Sequence, residues 1–192
     1  QRYAALTRRD RLAHVRKAIA AAANAKLNPV KINAVVMPGV NEVDIVPLAD
    51  YALHQRAQLR FIEQMPLGPR DKWRREDMVT ANDIVHRLQN YFSMRPAREP
   101  RGSAPAELWD AVAPDGTAGK LGIIASVTHP FCGDCDRTRL TTDGAVRNCL
   151  FGNSETQLRD LMRSGASDEE LMQAWSGEMW AKKPGHGIDD EG

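Results

Sequence analysis

The sequence is poor in cysteine, in net charge and in long apolar runs. Its three cysteines in 192 residues are an odd number, so they cannot form the complete disulfide framework that staples small secreted domains. The 26 Lys and Arg residues nearly balance the 25 Asp and Glu residues, so no overall field favours nucleic acid or a membrane surface. No apolar stretch approaches the roughly 20 residues of a transmembrane helix, and no signal peptide opens the chain. We therefore expect a cytoplasmic protein without a nucleic-acid or membrane partner.

The chemistry that the sequence does carry is concentrated around its cysteines. Cys132, Cys135 and Cys149 follow the pattern Cys-x2-Cys-x13-Cys. Thiolate sulfur binds both zinc and iron–sulfur clusters, and a Cys-x2-Cys turn lets two sulfurs face one metal centre. Asp143 and Gly144 lie between two short β-prone runs and predict a tight hairpin turn. Such a hairpin would bring Cys149 back toward the other two cysteines.

Three thiolates suit two kinds of metal site. A structural zinc site normally has four ligands, and His129 could supply the fourth. A 4Fe–4S cluster held by three cysteines instead leaves one iron open to bind a substrate atom. The spacing alone leaves these two alternatives equally open. Arg137 and Arg139 would suit an anionic substrate beside an open iron, or would otherwise be surface charges of the hairpin.

The periodicity of the chain predicts an α/β protein. Helices are predicted at about 11–26, 43–57, 80–92, 156–163 and 168–182, and strands at about 30–36, 59–64, 107–112 and 121–127. Helix and strand alternate in the first half without hairpin turns, which is typical of βα units with a parallel sheet. The last two strands are expected to form a small sheet beneath the cysteine loop. A loop rich in Arg, Pro and Gly at 95–105 places the domain boundary there, giving domains 1–94 and 95–192.

The first two predicted strands carry polar residues that invite a functional interpretation. Lys31 alternates with apolar neighbours, so it is either an edge lysine that reaches water or a residue pointing into the lumen of a barrel. Met65 follows the second strand at its carboxyl end, where barrels place their chemistry, although methionine there is often core packing. Arg60 and Met65 are an odd number of residues apart, so within one strand they would point to opposite faces. Arg60 and Met65 can therefore both reach the lumen only if Met65 lies past the strand end. Trp175 and Trp180 are expected to pack the last helix onto its domain.

Several of these segments resemble the GTP 3′,8-cyclase family, the radical S-adenosylmethionine (SAM) enzymes that open molybdenum cofactor biosynthesis. The cysteine segment resembles the family's C-terminal cluster motif. The earlier segments resemble its later barrel strands, and the resemblance runs from about residue 8 to residue 190. The matching segments are 30–36, 39–41, 59–68, 130–140, 143–151 and 185–188.

The resemblance implies a fold and a set of site residues. The fold would be the last βα units of a radical-SAM partial TIM barrel, followed by a small α+β iron–sulfur module. The resemblance assigns a 4Fe–4S cluster to Cys132, Cys135 and Cys149, with its open iron binding the purine of GTP. It assigns Met65 to SAM. For GTP binding, it assigns Lys31, Arg137, Thr138 and Arg139, with Arg60 as an additional candidate.

By the same resemblance, the activity is conversion of GTP to (8S)-3′,8-cyclo-7,8-dihydroguanosine 5′-triphosphate, started by reductive cleavage of SAM at a first cluster. The Cys-x3-Cys-x2-Cys motif of that cluster is not in the sequence, whose first residue is Gln1. We therefore expect a C-terminal portion that is inactive alone and needs an N-terminal barrel half carrying a second 4Fe–4S cluster. A homodimer is also expected. The family's terminal Gly-Gly tail is not in the sequence, which leaves its role open. The alternatives are a GTP-binding iron–sulfur module without catalysis, and a Cys3His zinc fold.

Overall fold

A computed structural model describes residues 1–67, 73–152 and 154–185 of the chain. Within it the chain forms two compact units, Gln1–His129 and Pro130–Gly192, which we call unit 1 and unit 2. Gly68 and residues 186–188, which belong to the matching segments, lie outside the described residues. Each unit is described by itself below.

Unit 1 is built on a five-stranded mixed sheet in the order β1-β2-β5-β4-β3. β1, β2 and β5 run parallel, whereas β4 lies antiparallel to both β5 and β3. This confirms an α/β domain with parallel strands. The strands are β1 (Lys31–Val36), β2 (Gln58–Glu63), β3 (Ser93–Pro96), β4 (Glu107–Val112) and β5 (Ala118–Ile124), and the helices are α1 (Arg2–Thr7), α2 (Leu12–Asn24), α3 (Ile45–His54) and α4 (Ala81–Gln89).

The core of unit 1 lies between one face of this sheet and helices α3 and α4. Strand alternation accounts for it, because every second residue of β2, such as Leu59 and Phe61, points to the helices and is buried. Arg60, between them, belongs to the opposite face. The helix side is therefore apolar, whereas the other face of the sheet mixes polar residues such as Arg60 with apolar ones such as Ile62 and Ile124.

The strands β4 and β5 do not form a separate sheet beneath the cysteine loop, so that prediction is wrong. β5 lies in the middle of the main sheet and pairs parallel with β2, with Leu59 opposite Leu121. The physical reason is that residues 121–124 are buried one after another, as in a central parallel strand covered on both faces. The compact units accordingly divide after His129, and not at the expected boundary after residue 94.

Unit 2 combines a small antiparallel sheet with two helices. The sheet has the order β6-β7-β8, formed by β6 (Arg139–Leu140), β7 (Ala145–Arg147) and β8 (Thr156–Gln157). It is followed by α5 (Leu158–Arg163) and α6 (Asp168–Trp180). Ser167 caps α6 and exchanges hydrogen bonds with Glu170 as the sequence predicts for a capping box.

Few side chains are buried in the described part of unit 2. The apolar ones are Ala145, Val146 and Leu158, and they are joined by the polar Asn148 and Glu178. Trp180 has 89% of its surface exposed, so the prediction that it packs α6 onto the domain is wrong. Along the described helices, none is long and apolar enough to cross a membrane.

Candidate functional site

Lys31 and Arg60, two of the predicted GTP-binding residues, line one cavity in unit 1. The cavity has a volume of about 540 Å³ and lies on the sheet face away from α3 and α4. Gln58 lines it together with residues between Pro96 and Trp109. Lys31 and Gln58 are the first residues of their strands and lie opposite each other. The structure therefore brings Lys31 and Arg60 together toward the amino ends of the parallel strands.

The side chain of Arg60 is held close to the sheet. Its Nε donates to Oε1 of Gln58 at 3.1 Å. Gly122 lies beside it on β5, where an added Cβ would come within 2.9 Å of Arg60 Cγ. The absence of a side chain at Gly122 thus gives the arginine room to cross the sheet. Partial burial lowers the pKa of the guanidinium, and the bond to a neutral amide leaves its positive charge uncompensated at that contact.

Met65 lies at the opposite end of β2. The strand ends at Glu63, so Met65 lies past the strand end, as the parity argument requires, and is half-buried. A separate cavity of about 440 Å³ opens at this end, lined by residues that include Gly39, Gln64 and Trp73. Met65 is not among its lining residues, and it does not share the cavity of Lys31. The predicted SAM contact and the predicted GTP contacts of unit 1 therefore lie toward different ends of the strand.

Glu63, which the sequence analysis missed, is a fully buried carboxylate at that same strand end. It accepts hydrogen bonds from the backbone N–H of Ala81 at 2.7 Å, of Val127 at 2.8 Å and of Thr128 at 2.9 Å. Thr128 also donates from its hydroxyl at 2.6 Å. The carboxylate thus fixes the start of α4 and the segment after β5 to the end of β2. Strand parity was the available signal, because it places this glutamate on the same face as buried Phe61.

The cysteine segment of unit 2 folds as a turn followed by a hairpin. Cys132 opens a single 3-10 turn, Cys132–Asp134, and the N–H of Cys135 donates to the carbonyl of Cys132 at 3.1 Å. The hairpin of β6 and β7 turns at Gly144, whose φ of +84° suits glycine. Cys149 follows β7 by two residues. The predicted hairpin is confirmed.

Cys135 lies in a cationic setting. Arg137 donates from a guanidinium nitrogen to its Sγ at 3.2 Å, and Lys182 Nζ lies 3.6 Å from the same sulfur. The Arg137 guanidinium also stacks over the ring of Phe131, 4.5 Å from its centroid. Burial by itself would raise the pKa of the Cys135 thiol. The hydrogen bond from Arg137 and the two positive charges outweigh burial, and the pKa is lowered.

The other predicted residues of this segment occupy different positions. Arg139 is the first residue of β6 and pairs across the hairpin with Arg147, so it belongs to the sheet while Arg137 contacts sulfur. Thr138, between the two arginines, is half-buried. His129 is exposed, and its Nδ1 lies 3.2 Å from the hydroxyl of Thr128.

The three cysteines are thiols rather than disulfides, and each is partly exposed. In the described part of the chain, no three or more His, Cys, Asp or Glu side chains are drawn together closely enough to hold a metal ion. The turn and hairpin therefore place the thiols in one unit without closing them around a common point. His129 completes no such group either.

Comparison with known proteins decides the family. Residues 57–188 match the family model described as Molybdenum Cofactor Synthesis C, which covers more than half of the chain. The chain belongs to this family. Curated relatives named GTP 3′,8-cyclase confirm the likeness predicted from the cysteine motif.

Several curated relatives of this chain are named GTP 3′,8-cyclase. The protein from Corynebacterium glutamicum strain R is 68% identical over 194 residues, which cover 100% of this chain and 52% of the relative. The one from Mycobacterium ulcerans is 54% identical over 189 residues, covering 98% and 52%. The one from Mycolicibacterium smegmatis is 51% identical, with the same coverage. The chain thus spans about half the length of the curated relatives it matches.

The type of donor in unit 2 suits the iron–sulfur cluster that the family resemblance implies, because thiolate sulfur is the ligand of such clusters. Three thiols are present, and the pKa of one is lowered by neighbouring cations, which favours the thiolate that binds metal. The backbone at Gly152 packs closely against the side chain of Cys149, since a Cβ at residue 152 would lie only 3.3 Å from Cys149 Cβ. Sequence reasoning missed Lys182 in this setting, because the lysine is 47 residues from Cys135 and no local pattern links them.

Proposed function

We propose that this chain provides the GTP-holding part of a GTP 3′,8-cyclase of molybdenum cofactor biosynthesis. The whole enzyme would convert GTP to (8S)-3′,8-cyclo-7,8-dihydroguanosine 5′-triphosphate by radical SAM chemistry. The observation that carries the proposal is the cationic setting of Cys135 in a three-thiol segment, since Arg137 and Lys182 both reach its sulfur. The relatives' names, at 51–68% identity, support the same assignment.

Cys132, Cys135 and Cys149 are proposed to hold a 4Fe–4S cluster. When bound with one iron open, such a cluster supplies a Lewis-acidic position for the purine of GTP. The contribution of the chain itself is to favour the thiolate of Cys135 and to place cations beside it, which suits an anionic ligand. His129 is proposed not to be a ligand, because its exposed ring already has a hydroxyl neighbour in Thr128. The Cys3His zinc site is thus the less favoured arrangement.

Two groups of cations are proposed to bind GTP. In unit 2, Arg137 and Arg139 supply guanidinium groups, with Thr138 between them. Guanidinium groups bind phosphate through paired hydrogen bonds. In unit 1, Lys31 and Arg60 share one cavity, and the charge of Arg60 is uncompensated at its contact with an amide. Each group has the charge that a triphosphate requires.

The remaining parts of the proposal concern the longer protein. The three parallel strands of unit 1 are proposed to be the last strands of a partial barrel, with Met65 contacting SAM beyond the end of β2. An N-terminal half carrying a second 4Fe–4S cluster would supply SAM cleavage, so the 192-residue chain alone is expected to be inactive. A cytoplasmic location is proposed because the cysteines are thiols. A homodimer is proposed as the assembly.

Anaerobic reconstitution of the 192-residue chain with ferrous iron and sulfide tests the cluster. A brown protein with about four irons per chain is expected, since thiolate-bound iron absorbs broadly in the visible. Replacing any one cysteine by alanine should remove most of the iron, and His129→Ala should keep it. A colourless chain that binds one zinc and loses it on His129→Ala would overturn the cluster.

Titration of the reconstituted chain with GTP, GDP and guanosine tests substrate binding. Arg137→Ala should weaken GTP binding about 10- to 100-fold, because a charge-assisted bond to phosphate contributes roughly 1.5–3 kcal/mol. Arg137→Lys should retain part of the GTP affinity, since lysine keeps the positive charge but cannot form the paired hydrogen bonds of a guanidinium. Arg163→Ala, at an exposed arginine ending α5, is the matched control. Equal binding of guanosine and GTP, unchanged by Arg137→Ala, would contradict the assignment.

A further inference from the structure

The chain just after α6 contacts the cysteine segment through one lysine. Lys182 donates from Nζ to the carbonyl of Cys135 at 2.9 Å and to the carbonyl of Arg137 at 2.6 Å. The same Nζ lies 3.6 Å from Cys135 Sγ. One ammonium group therefore holds two carbonyls of a segment that lacks regular secondary structure, and it also faces the sulfur.

The same helix holds the segment of the third cysteine through buried polar groups. The side-chain amide of Asn148, the residue before Cys149, donates to the backbone carbonyl of Glu178 at 2.9 Å. The Glu178 carboxylate accepts from the hydroxyls of Ser154 at 3.2 Å and Thr156 at 2.9 Å. Asn148 and Glu178 are both buried, so these bonds are shielded from competing water.

Glu178 lies in the last turn of α6, and Lys182 follows the end of the helix at Trp180 by two residues. A turn connects Lys182 to the helix, since its N–H donates to the carbonyl of Met179 at 3.2 Å. The two anchors therefore lie close together at the C-terminal end of α6. Through them, the end of α6 fixes the chain at Cys135 and the chain next to Cys149, which lie far apart in sequence.

We propose that the C-terminal end of α6 and the turn that follows it form a positioning element for the cluster ligands, with Lys182 and Glu178 as its positioning residues. This inference rests on the proposed function, since it takes Cys135 and Cys149 as ligands. Lys182 holds the Cys135 turn and keeps a donor beside its sulfur. The backbone carbonyl of Glu178 holds Asn148, the residue before Cys149, and its carboxylate holds the strand segment that follows. Hydrogen bonds to sulfur and outer partners of the ligands are the means by which proteins tune such centres.

The first test compares metal retention in reconstituted chains. Lys182→Met keeps the length of the side chain and removes the ammonium, whereas Lys182→Arg keeps a charged donor. Lys182→Met should lose iron to a chelator about 10- to 100-fold faster than the unaltered chain, the usual effect of removing an outer partner. It should also have a lower reduction potential, because a positive donor at sulfur is gone. Lys182→Arg should restore part of both, and Lys183→Met, at the exposed neighbouring lysine, should change neither.

The second test uses the metal-free chain and hydrogen exchange. Lys182→Met should speed amide exchange in residues 132–137 about tenfold, while β7 serves as the internal reference for global folding. Asn148→Ala, which removes the donor to the Glu178 carbonyl, should speed exchange around Cys149 and leave residues 132–137 unchanged.

The outcomes separate the inference from the proposed function. If the unaltered chain binds iron and Lys182→Met matches it in retention, potential and exchange, the inference is overturned and the proposed function stands. If the unaltered chain binds no iron while exchange responds as expected, the lysine orders the loop but the cluster assignment fails, and with it the role in positioning ligands.

Discussion

Unit 1 and unit 2 are stabilised in different ways. Unit 1 buries a continuous apolar cluster between its sheet and helices α3 and α4, including fully buried Leu59, Phe61 and Leu121. The described part of unit 2 buries few apolar side chains, and Asn148 and Glu178 are prominent among its buried groups. Apolar burial is the main source of folding free energy, so this cluster stabilises the fold of unit 1. Small modules with little core commonly rely on metal or polar networks, and unit 2 has that composition.

The largest expected effect is in the core of unit 1. Phe61→Ala should lower the free energy of unfolding by about 3–5 kcal/mol, because the ring is buried and its removal leaves a cavity. Denaturant unfolding followed by circular dichroism measures it. Val43→Ala, at a side chain that is 65% exposed, should change stability by less than about 0.5 kcal/mol. A loss below about 1 kcal/mol for Phe61→Ala would show that unit 1 is not held by this cluster.

A smaller loss of stability is expected when the buried polar network of unit 2 is disrupted. Asn148→Ala removes the donor to the carbonyl of Glu178 and should cost about 1–3 kcal/mol, since a buried carbonyl loses its partner. Thermal unfolding of the metal-free chain measures the loss. Gln173→Ala, at an exposed position of α6, is the control. If both substitutions have the same small effect, the polar network does not stabilise unit 2 and the contrast between the units fails.

The edge of the sheet is where unit 1 is expected to be vulnerable. β1 pairs with β2 on one side and ends the sheet on the other, and Val35 on it is 40% exposed. An open strand edge with apolar side chains favours self-association. Val35→Lys should therefore reduce the oligomeric fraction seen by light scattering, whereas Val40→Lys, equally exposed but outside the strand, should not. An unaltered chain that stays monomeric at high concentration would contradict this.

The smallest expected effect is a pH dependence in unit 1. The backbone carbonyl of Asp50 and the carboxylate of Asp115 raise the pKa of His54. Protonated His54 therefore stabilises the fold below the ordinary histidine pKa, and this contribution is lost as pH rises through the raised pKa. His54→Gln should flatten the melting temperature between about pH 5.5 and pH 8.5. His86→Gln, at an exposed histidine of α4, is the matched control.

The sequence predicted local structure better than distant contacts. Helical periodicity, the capping box at Ser167 and the hairpin at Gly144 depend on neighbouring residues, and all three are confirmed. The short strand β3 was missed because it is an arginine- and proline-containing edge strand, which carries little apolar alternation. The parallel pairing of β5 with β2 was also missed, since no local pattern records which strand lies next to which.

The candidate site shows the same limit. Sequence motifs pointed to Cys135 and Arg137, and the structure places them in contact because they are two residues apart. Lys31 and Arg60 share a cavity because their strands are neighbours, which the predicted parallel sheet could anticipate. Lys182 approaches the sulfur of Cys135 only because α6 packs beside the cysteine segment. The sequence could not predict this contact, which depends on tertiary structure.

The buried carboxylate of Glu63 has a consequence for how such proteins can be recombined. Its donors among the described residues, which belong to Ala81, Val127 and Thr128, precede the junction between His129 and Pro130. A chain cut or fused at that junction would keep these partners and would not leave the carboxylate without them in the interior. The junction is therefore a natural place for a gene to exchange one cysteine module for another while the sheet domain stays unchanged.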